Sequence, residues 1–364
     1  MINNVILIYP SYERGGVKKN FLSYIKALKK NNLKINIISD KNILGDVKSD
    51  NKIKIHIIKN FKSRLFYKYF TSLFSSYKLY QLRKINDKEK TRVISFQSSF
   101  FTSIVSSICG LKLIIRVSED PIGATIHSDN RMSSFLVMLT KIITYNLCYK
   151  ILVNSKLMKI NLEKFVINKK KILLQYNMNL KKIKKYNIKR KKNIFLNLGR
   201  FCKQKNQTII LKAFSHILKK YPKKGFKLYL CGDGPDKPKL LHLVEELNLK
   251  KNVKILNWQK NTEKNLRDAK YFIFPSLYEG LPNSLIEAVN NDLVCICSNI
   301  SGVNDICGKD YIKIDNKDFN DIFLKMKIAH ENYYYLTRKS KLNKNKLNKF
   351  MFKNLNFKLL NNIN

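Results

Sequence analysis

Residues 271–290 read Tyr-Phe-Ile-Phe-Pro-Ser-Leu-Tyr-Glu-Gly-Leu-Pro-Asn-Ser-Leu-Ile-Glu-Ala-Val-Asn, and no other stretch restricts the fold as tightly. Tyr271 to Phe274 form a short apolar run of strand-forming residues. Pro275 ends it, because proline has no N–H to give to a sheet ladder. Gly280 and Pro282 mark a tight turn, and Asn283 or Ser284 can cap a helix through Leu285, Ile286, Glu287, Ala288 and Val289. Strand, glycine turn and helix in this order leave free backbone N–H groups at a helix N-terminus, where phosphate is favoured. Glu279 stands just before the turn and Glu287 one helical turn inside it, so each can accept from a ligand hydroxyl. An ordinary βα unit with two glutamates facing water would carry the same pattern.

The pattern recurs along the chain. Val5–Tyr9, residues 35–38, 53–58, 93–97, 113–117, 151–155 and 172–177 are apolar runs of strand length, and helical spacing fills most of the gaps. A second series follows at 194–199, 226–231, 253–256, 271–274 and 294–298. A chain of 364 residues is long for one core. Two alternating series therefore predict α/β architecture: two Rossmann-like, doubly wound domains facing a cleft, residues 1–180 and 181–330. Lys181 to Lys192, dense in lysine and without a core pattern, reads as a solvated linker.

Several loops of these units carry chemistry. Gly15-Gly16 follows the first strand, where two glycines permit either close approach to a ligand or merely a tight turn. Gly199 ends a strand, and Arg200 and Lys205 bracket the loop beyond it. A guanidinium fork and a mobile ammonium suit a diphosphate, although two cations come cheaply in so basic a chain. Gly232-Asp-Gly234-Pro235 is another turn after a strand. Arg116, Ser118 and Glu119 lie at the end of the strand Leu113–Val117, where open sheets place ligands.

Taken together, Gly199-Arg200…Lys205-Asn206, Gly232-x-Gly234-Pro235 and the Glu279–Glu287 pair resemble the retaining family-4 glycosyltransferases with their E-x7-E signature. The likeness is dense from Gly199 to Ile306 and diffuse before it. It implies the two-domain GT-B fold, with the second half holding a nucleotide-sugar (a UDP-sugar) and the first half choosing the acceptor. By this resemblance Arg200 and Lys205 neutralise the donor diphosphate, Glu279 holds sugar hydroxyls and Glu287 the ribose. Gly15, Gly16, Gly199, Gly232, Gly234 and Pro235 line the donor. Gly280, Leu281, Pro282, Asn283 and Ser284 present the helix terminus to it. Arg116, Ser118 and Glu119 face sugar or acceptor. The absence of an Asp-x-Asp at a strand end agrees with transfer that needs no metal and no cofactor. Such enzymes extend glycans, often on polyprenyl-diphosphate carriers, in surface polysaccharide assembly. Related folds also send a C-terminal helix back across to the first domain, expected here over residues 331–364.

Charge adds a second line. With 71 Lys and Arg against 25 Asp and Glu, the formal net charge is +46. Such a balance favours anionic partners, an acidic membrane surface or nucleic acid. No nucleic-acid motif is visible and the cations are spread out, so nucleic acid is not expected. Within Lys59–Lys90, positions 66, 69, 70, 73, 74, 77 and 80 trace one apolar, aromatic helical face among lysines. This is either a core-facing helix or one lying in a lipid headgroup layer. Val93–Leu111, interrupted by seven Ser or Thr, reads as strand plus helix rather than a membrane span. The first residues lack a basic leader, and seven scattered cysteines show no paired spacing. A cytoplasmic enzyme on the inner face of the membrane is the expectation. The alternatives are a sugar-nucleotide 2-epimerase of the same architecture and a basic nucleic-acid-binding protein.

Overall fold

A computed structural model describes residues 2–9, 15–39, 43, 45–58, 67–96, 100–128, 130–183, 191–259, 262–309, 311–342 and 344–352. The chain divides into two compact units, one of Met1–Asn179 with Phe352–Asn364 and one of Leu180–Met351.

The first unit is a parallel sheet of seven strands: β1 (Asn4–Tyr9), β2 (Lys34–Ser39), β3 (Ile53–Ile57), β4 (Thr91–Ser95), β5 (Lys112–Val117), β6 (Lys150–Val153) and β7 (Ile172–Leu174). Their spatial order is β3-β2-β1-β4-β5-β6-β7. β1 is buried on both faces, as a central parallel strand must be, so Asn-Val-Ile-Leu-Ile-Tyr is nearly continuous apolar sequence. Val5 and Leu7 pack against Phe21 and Tyr24 of α1 (Gly16–Lys30). Ile6 and Ile8 face the opposite layer, which includes Leu79 and Leu82 of α2 (Tyr67–Arg83). The remaining helices of the unit are α3 (Phe100–Ile108), α4 (Pro121–Ile126), α5 (Arg131–Leu147) and α6 (Lys156–Leu162).

α2 corrects one half of the expectation from its sequence. Its buried face is Thr71, Ser75, Ser76, Leu79 and Leu82, whereas Leu73, Tyr77 and Tyr80 are exposed. The hydroxyls bury at low cost because they bond to their own helix, Ser75 Oγ to the Thr71 carbonyl at 2.6 Å and Ser76 Oγ to that of Ser72 at 2.9 Å. Small side chains then let α2 lie close to α3, where Ser76 and Thr102 hydroxyls are 3.2 Å apart. Leu73, Tyr77 and Tyr80 of the stripe are thus off the core, whereas Phe74 packs against it partly buried. Phe66 and the other residues of 59–66 lie outside the described residues.

The second unit has six parallel strands: β8 (Lys192–Leu198), β9 (Lys227–Cys231), β10 (Val253–Leu256), β11 (Ala269–Phe274), β12 (Val294–Ser298) and β13 (Ile312–Ile314). They are ordered β10-β9-β8-β11-β12-β13. Helices α7 (Gln207–Lys220), α8 (Lys237–Glu246), α9 (Glu263–Asp268), α10 (Asn283–Asn290), α11 (Val303–Cys307), α12 (Phe319–Glu331) and α13 (Tyr333–Leu342) connect and cover them. Phe195 and Tyr271 stack at 4.4 Å across neighbouring strands at the centre of this core.

Two expectations about the ends of this unit need correction. Residues from Glu331 onward do not return to the first unit at that point. Tyr333 packs edge-on against Tyr271 at 5.6 Å, and the chain stays in the second unit through Met351. Phe352 is the first to join the core of the first unit, and 353–364 lie outside the described residues. Lys191 is not a solvated linker residue either. It is buried and donates to the carbonyls of Leu266, Arg267 and Ala269, closing the end of α9, and burial pushes its ammonium pKa down to about 8. Residues 184–190 of the expected linker are not among those described.

Candidate functional site

In a sheet ordered β10-β9-β8-β11-β12-β13 the direction of winding reverses between β8 and β11, and ligands of such sheets sit at the carboxyl ends of the strands there. The loops at that point are the two that the sequence marks out, 199–206 after β8 and 275–282 after β11.

The first loop is built on close backbone contact. A Cβ on Gly232 would lie 1.8 Å from the Gly199 carbonyl oxygen, and one on Gly234, whose φ is +152°, would lie 2.3 Å from that of Phe201. Only glycine permits these approaches. In return the backbone bonds freely: Gly199 N–H donates to Cys231, Phe201 N–H to Asp233, and Asp236 N–H to Phe201, at 2.9–3.1 Å. Pro235 completes this turn ahead of α8. Beneath the loop, buried Asn197 on β8 donates to the Ile273 carbonyl on β11 at 2.8 Å, and Gln207 donates to the Arg200 carbonyl at 2.9 Å.

One turn of 3-10 helix at Lys203–Lys205 then carries the chain across to the second loop. Gln204 fastens the two together, its backbone carbonyl accepting from Leu277 N–H at 2.8 Å and its side-chain amide donating to the Tyr278 carbonyl at 2.9 Å. The Lys205 stem passes over Gly199, 3.5 Å from where a Cβ would stand. Its ammonium lies 5.4 Å above the Phe274 ring and forms an ion pair with Glu279. Both side chains are mostly buried, 17% and 12% exposed. Arg200 is exposed at the same edge.

The second loop ends in α10. Its cap residue is Pro282, not Asn283 or Ser284, and no side chain caps it. The φ of proline suits this position, and Leu285 and Ile286 close the first turn by donating to the Pro282 carbonyl. Gly280 and Leu281 are held by a neighbouring turn. A Cβ on Gly302, whose φ is +80°, would come within 2.4 Å of the Gly280 carbonyl oxygen. Asn283, Ser284 and Glu287 are half-buried on the first turns of α10. The positive end of a helix dipole, one exposed cation and one paired cation thus border a single edge of the sheet, with two carboxylates beside them. Such a set can hold a diphosphate and the hydroxyls on either side of it.

The residues expected in the first unit fare differently. Gly15 and Gly16 begin α1, with no side-chain cap and no described atom within 4 Å of where a Cβ on Gly15 would stand. Ser118 and Glu119 do lie at the carboxyl end of β5, Glu119 exposed. Arg116 does not face a ligand. It is 1% exposed and donates to the Gln175 carbonyl and, at 2.8 Å, to Asn177 Oδ1, beside a Tyr24 hydroxyl that itself bonds to Gln175. Its position alternates with Ile114, on the sheet face that packs against α1, so the side chain is spent inside the fold. Burial pushes its pKa below the ordinary arginine value.

Sequence reasoning left Asn197, Gln204 and Gly302 without roles. A polar Asn inside the apolar run Ile194-Phe-Leu-Asn-Leu was the available signal for the first. Gln204 carried none, because its partners come from a loop more than 70 residues away.

Comparison with known proteins points to the same half of the chain. Residues 179–345 match the family described as Glycosyl transferases group 1. An uncharacterized glycosyltransferase of Methanocaldococcus jannaschii is 44% identical over 103 residues, 28% of this chain and 25% of that protein. The N-acetylgalactosamine-N,N'-diacetylbacillosaminyl-diphospho-undecaprenol 4-alpha-N-acetylgalactosaminyltransferase of Campylobacter jejuni is 26% identical over 242 residues, 64% of each chain. The chain thus covers less than two thirds of the length of either relative. Anabaena HepE, solved with UDP and glucose, superposes with a TM-score of 0.78 at 13% identity, over 99% of this chain and 98% of that one. The fold is therefore that of the GT-B proteins, two parallel-sheet α/β domains, and the match over 179–345 supports a group 1 glycosyltransferase.

Proposed function

We propose that the chain is a retaining glycosyltransferase of family 4. It moves a hexosyl or N-acetylhexosaminyl group from a UDP-sugar to a glycan or polyprenyl-diphosphate-linked acceptor, in surface polysaccharide assembly. The observation that carries the reading is the Lys205–Glu279 pair, with the Lys205 stem over Gly199 at the point of strand reversal. The match of the same residues to group 1 transferases supports it, as does a relative whose named substrate is a diphospho-undecaprenol.

In the reaction the bond between the sugar C1 and the diphosphate oxygen breaks. The acceptor oxygen bonds to C1, and its proton passes to the departing diphosphate. Charge accumulates on the departing diphosphate, and catalysis consists largely of meeting it with fixed positive groups. Arg200, the Lys205 ammonium and the N-terminus of α10 supply these without a metal. Glu279 receives hydroxyls of the transferred sugar once the donor has drawn Lys205 toward phosphate, and Glu287 receives those of the ribose. Retention of configuration and the UDP base rest on the resemblance of the motif. The net charge of +46 and the exposed Leu73, Tyr77 and Tyr80 of α2 support a peripheral place on an acidic membrane. No helix among the described residues is long and apolar enough to cross one.

The test is a thermal-shift screen of UDP- and GDP-sugars followed by product analysis. A donor at a hundred times its Kd stabilises the folded chain by about 2.7 kcal/mol. Stabilisation by a UDP-sugar, with sugar transferred only when a lipid-linked acceptor is added, is expected. Failure of every nucleotide-sugar to stabilise the chain overturns the reading. A new sugar nucleotide formed with no acceptor present would make the enzyme a 2-epimerase.

A further inference from the structure

We infer that α5 is a membrane-docking element whose outer face enters an acidic lipid surface. The inference rests on the reading above only in that a lipid-linked acceptor gives such contact a purpose. Met132, Phe135, Leu136, Leu139, Ile143 and Leu147 are all large, apolar and 41–78% exposed. At 100° per residue they fall within one stripe about 120° wide and about 22 Å long. The opposite face holds the buried Met138 and Tyr145, so the helix is already anchored without them. A soluble surface rarely carries so continuous an apolar strip unless something covers it.

The chemistry around the strip names the occupant. From Asn130 to Lys171 the chain has nine Lys or Arg and a single acidic residue, Glu163. Of these, Lys156, Lys164, Lys169 and Lys170 are exposed. Asn146, near the end of α5, bonds to the Phe165 carbonyl and to Ile167 N–H, which brings this basic segment against the helix. The same segment shows exposed Leu157, Ile160 and Ile167 between its lysines. An apolar stripe rimmed by cations matches a bilayer of anionic headgroups, with the side chains at the acyl boundary. A second copy of the chain fits poorly, since pairing this face with itself would oppose two basic rims. The strip also starts in a useful place. α4 and then α5 lead away from the carboxyl end of β5, so Ile126 and Met132, 70% and 78% exposed, follow closely on Ser118 and Glu119. A bilayer on α5 would hold the carrier of a lipid-linked acceptor near that sheet edge.

The experiment is flotation of the full chain with vesicles of phosphatidylglycerol and phosphatidylcholine, against vesicles of phosphatidylcholine alone. The wild type is expected to float with the acidic vesicles and to be released by salt. Combined Phe135→Ser, Leu136→Ser and Leu139→Ser is expected to weaken partition at least about tenfold. Its Tm and its stabilisation by UDP-sugar should stay at wild-type values. Tyr334→Ser with Tyr335→Ser, which removes comparably exposed side chains from the second unit, should leave flotation unchanged. Equal flotation of the triple variant, or no flotation of the wild type, overturns the inference. So does light scattering that finds a wild-type dimer and a monomeric triple variant, since a second copy would then be the occupant. Flotation needs no donor, so a chain that floats through α5 yet transfers no sugar would fail the functional reading and keep the docking surface.

Discussion

Lys205 and Glu279 stand on loops after two different strands, and they are ion-paired at the edge where the second sheet reverses direction. Each is the counter-charge of the other. Lys205→Ala is expected to lower kcat at least about 100-fold and to lower Tm, because it leaves Glu279 mostly buried and unpaired. Glu279→Gln should lose transfer but keep stabilisation by UDP, since the ammonium remains for phosphate. Arg200→Ala, at an exposed position, should lose transfer while the chain still folds. Near-normal turnover in Lys205→Ala or Arg200→Ala removes the diphosphate role.

Gly232 is expected to tolerate no side chain. Its Cβ would meet the Gly199 carbonyl oxygen at 1.8 Å, and neither backbone can move without breaking the bonds that tie 199–201 to 231–236. Gly232→Ala should cost about 3 kcal/mol and abolish stabilisation by nucleotide-sugar. Gly45→Ala, with no described atom within 4 Å of the added Cβ, serves as the control and should change neither. Chemical denaturation of the three proteins decides the matter.

Arg116 is a structural residue, and its variants should behave accordingly. Arg116→Ala leaves the Gln175 carbonyl and the Asn177 side chain without their donor and should destabilise by about 2–4 kcal/mol. Arg116→Lys keeps a charge but not the planar fork, and should lower Tm while leaving the acceptor KM unchanged. A raised KM at unchanged Tm would return Arg116 to the acceptor side.

His330 makes stability depend on pH. Burial, then the charges of Lys224 and Lys270, hold its pKa below the ordinary histidine value. The folded chain therefore binds this proton less readily than the unfolded one. The stability contributed by the neutral ring is complete above about pH 6.5 and is lost as pH falls through that value toward the folded pKa. The Tm of the wild type should fall on acidification from about pH 7 to 5 more steeply than that of His330→Phe. Parallel slopes would show that the proton goes elsewhere.

What could be read from the sequence was whatever local periodicity and loop chemistry control. β1, β8 and β11 are apolar runs, and the Gly199, Gly232 and Gly280 loops mark their own turns, so both sheets and one edge of the second were visible in advance. Choosing between two plausible faces was not possible in the same way. In α2 Leu73, Tyr77 and Tyr80 are left outside, because Ser75 and Ser76 satisfy their hydroxyls within the helix and go inside. In α5 the exposed and buried faces are both apolar, and periodicity cannot tell them apart. Arg116 at a strand end resembles a ligand contact until the distant Gln175 and Asn177 are seen to use it. The N-terminus of α10 was correctly placed, but its capping by Pro282 rather than Asn283 depends on a φ value that composition does not reveal.

Leu180 forms a single parallel bridge with Met351, and its N–H donates to the Phe350 carbonyl at 3.0 Å. The second unit thus enters and leaves at the same spot on its own body, clasped shut where the chain passes through. A module with adjoining ends can be lodged inside another sequence or lifted out of it without unravelling its sheet. The stretch that matches the group 1 glycosyltransferases, 179–345, lies almost wholly within that clasp. Recombination could therefore graft a different first unit around an unchanged second one, and the join would fall at two neighbouring residues.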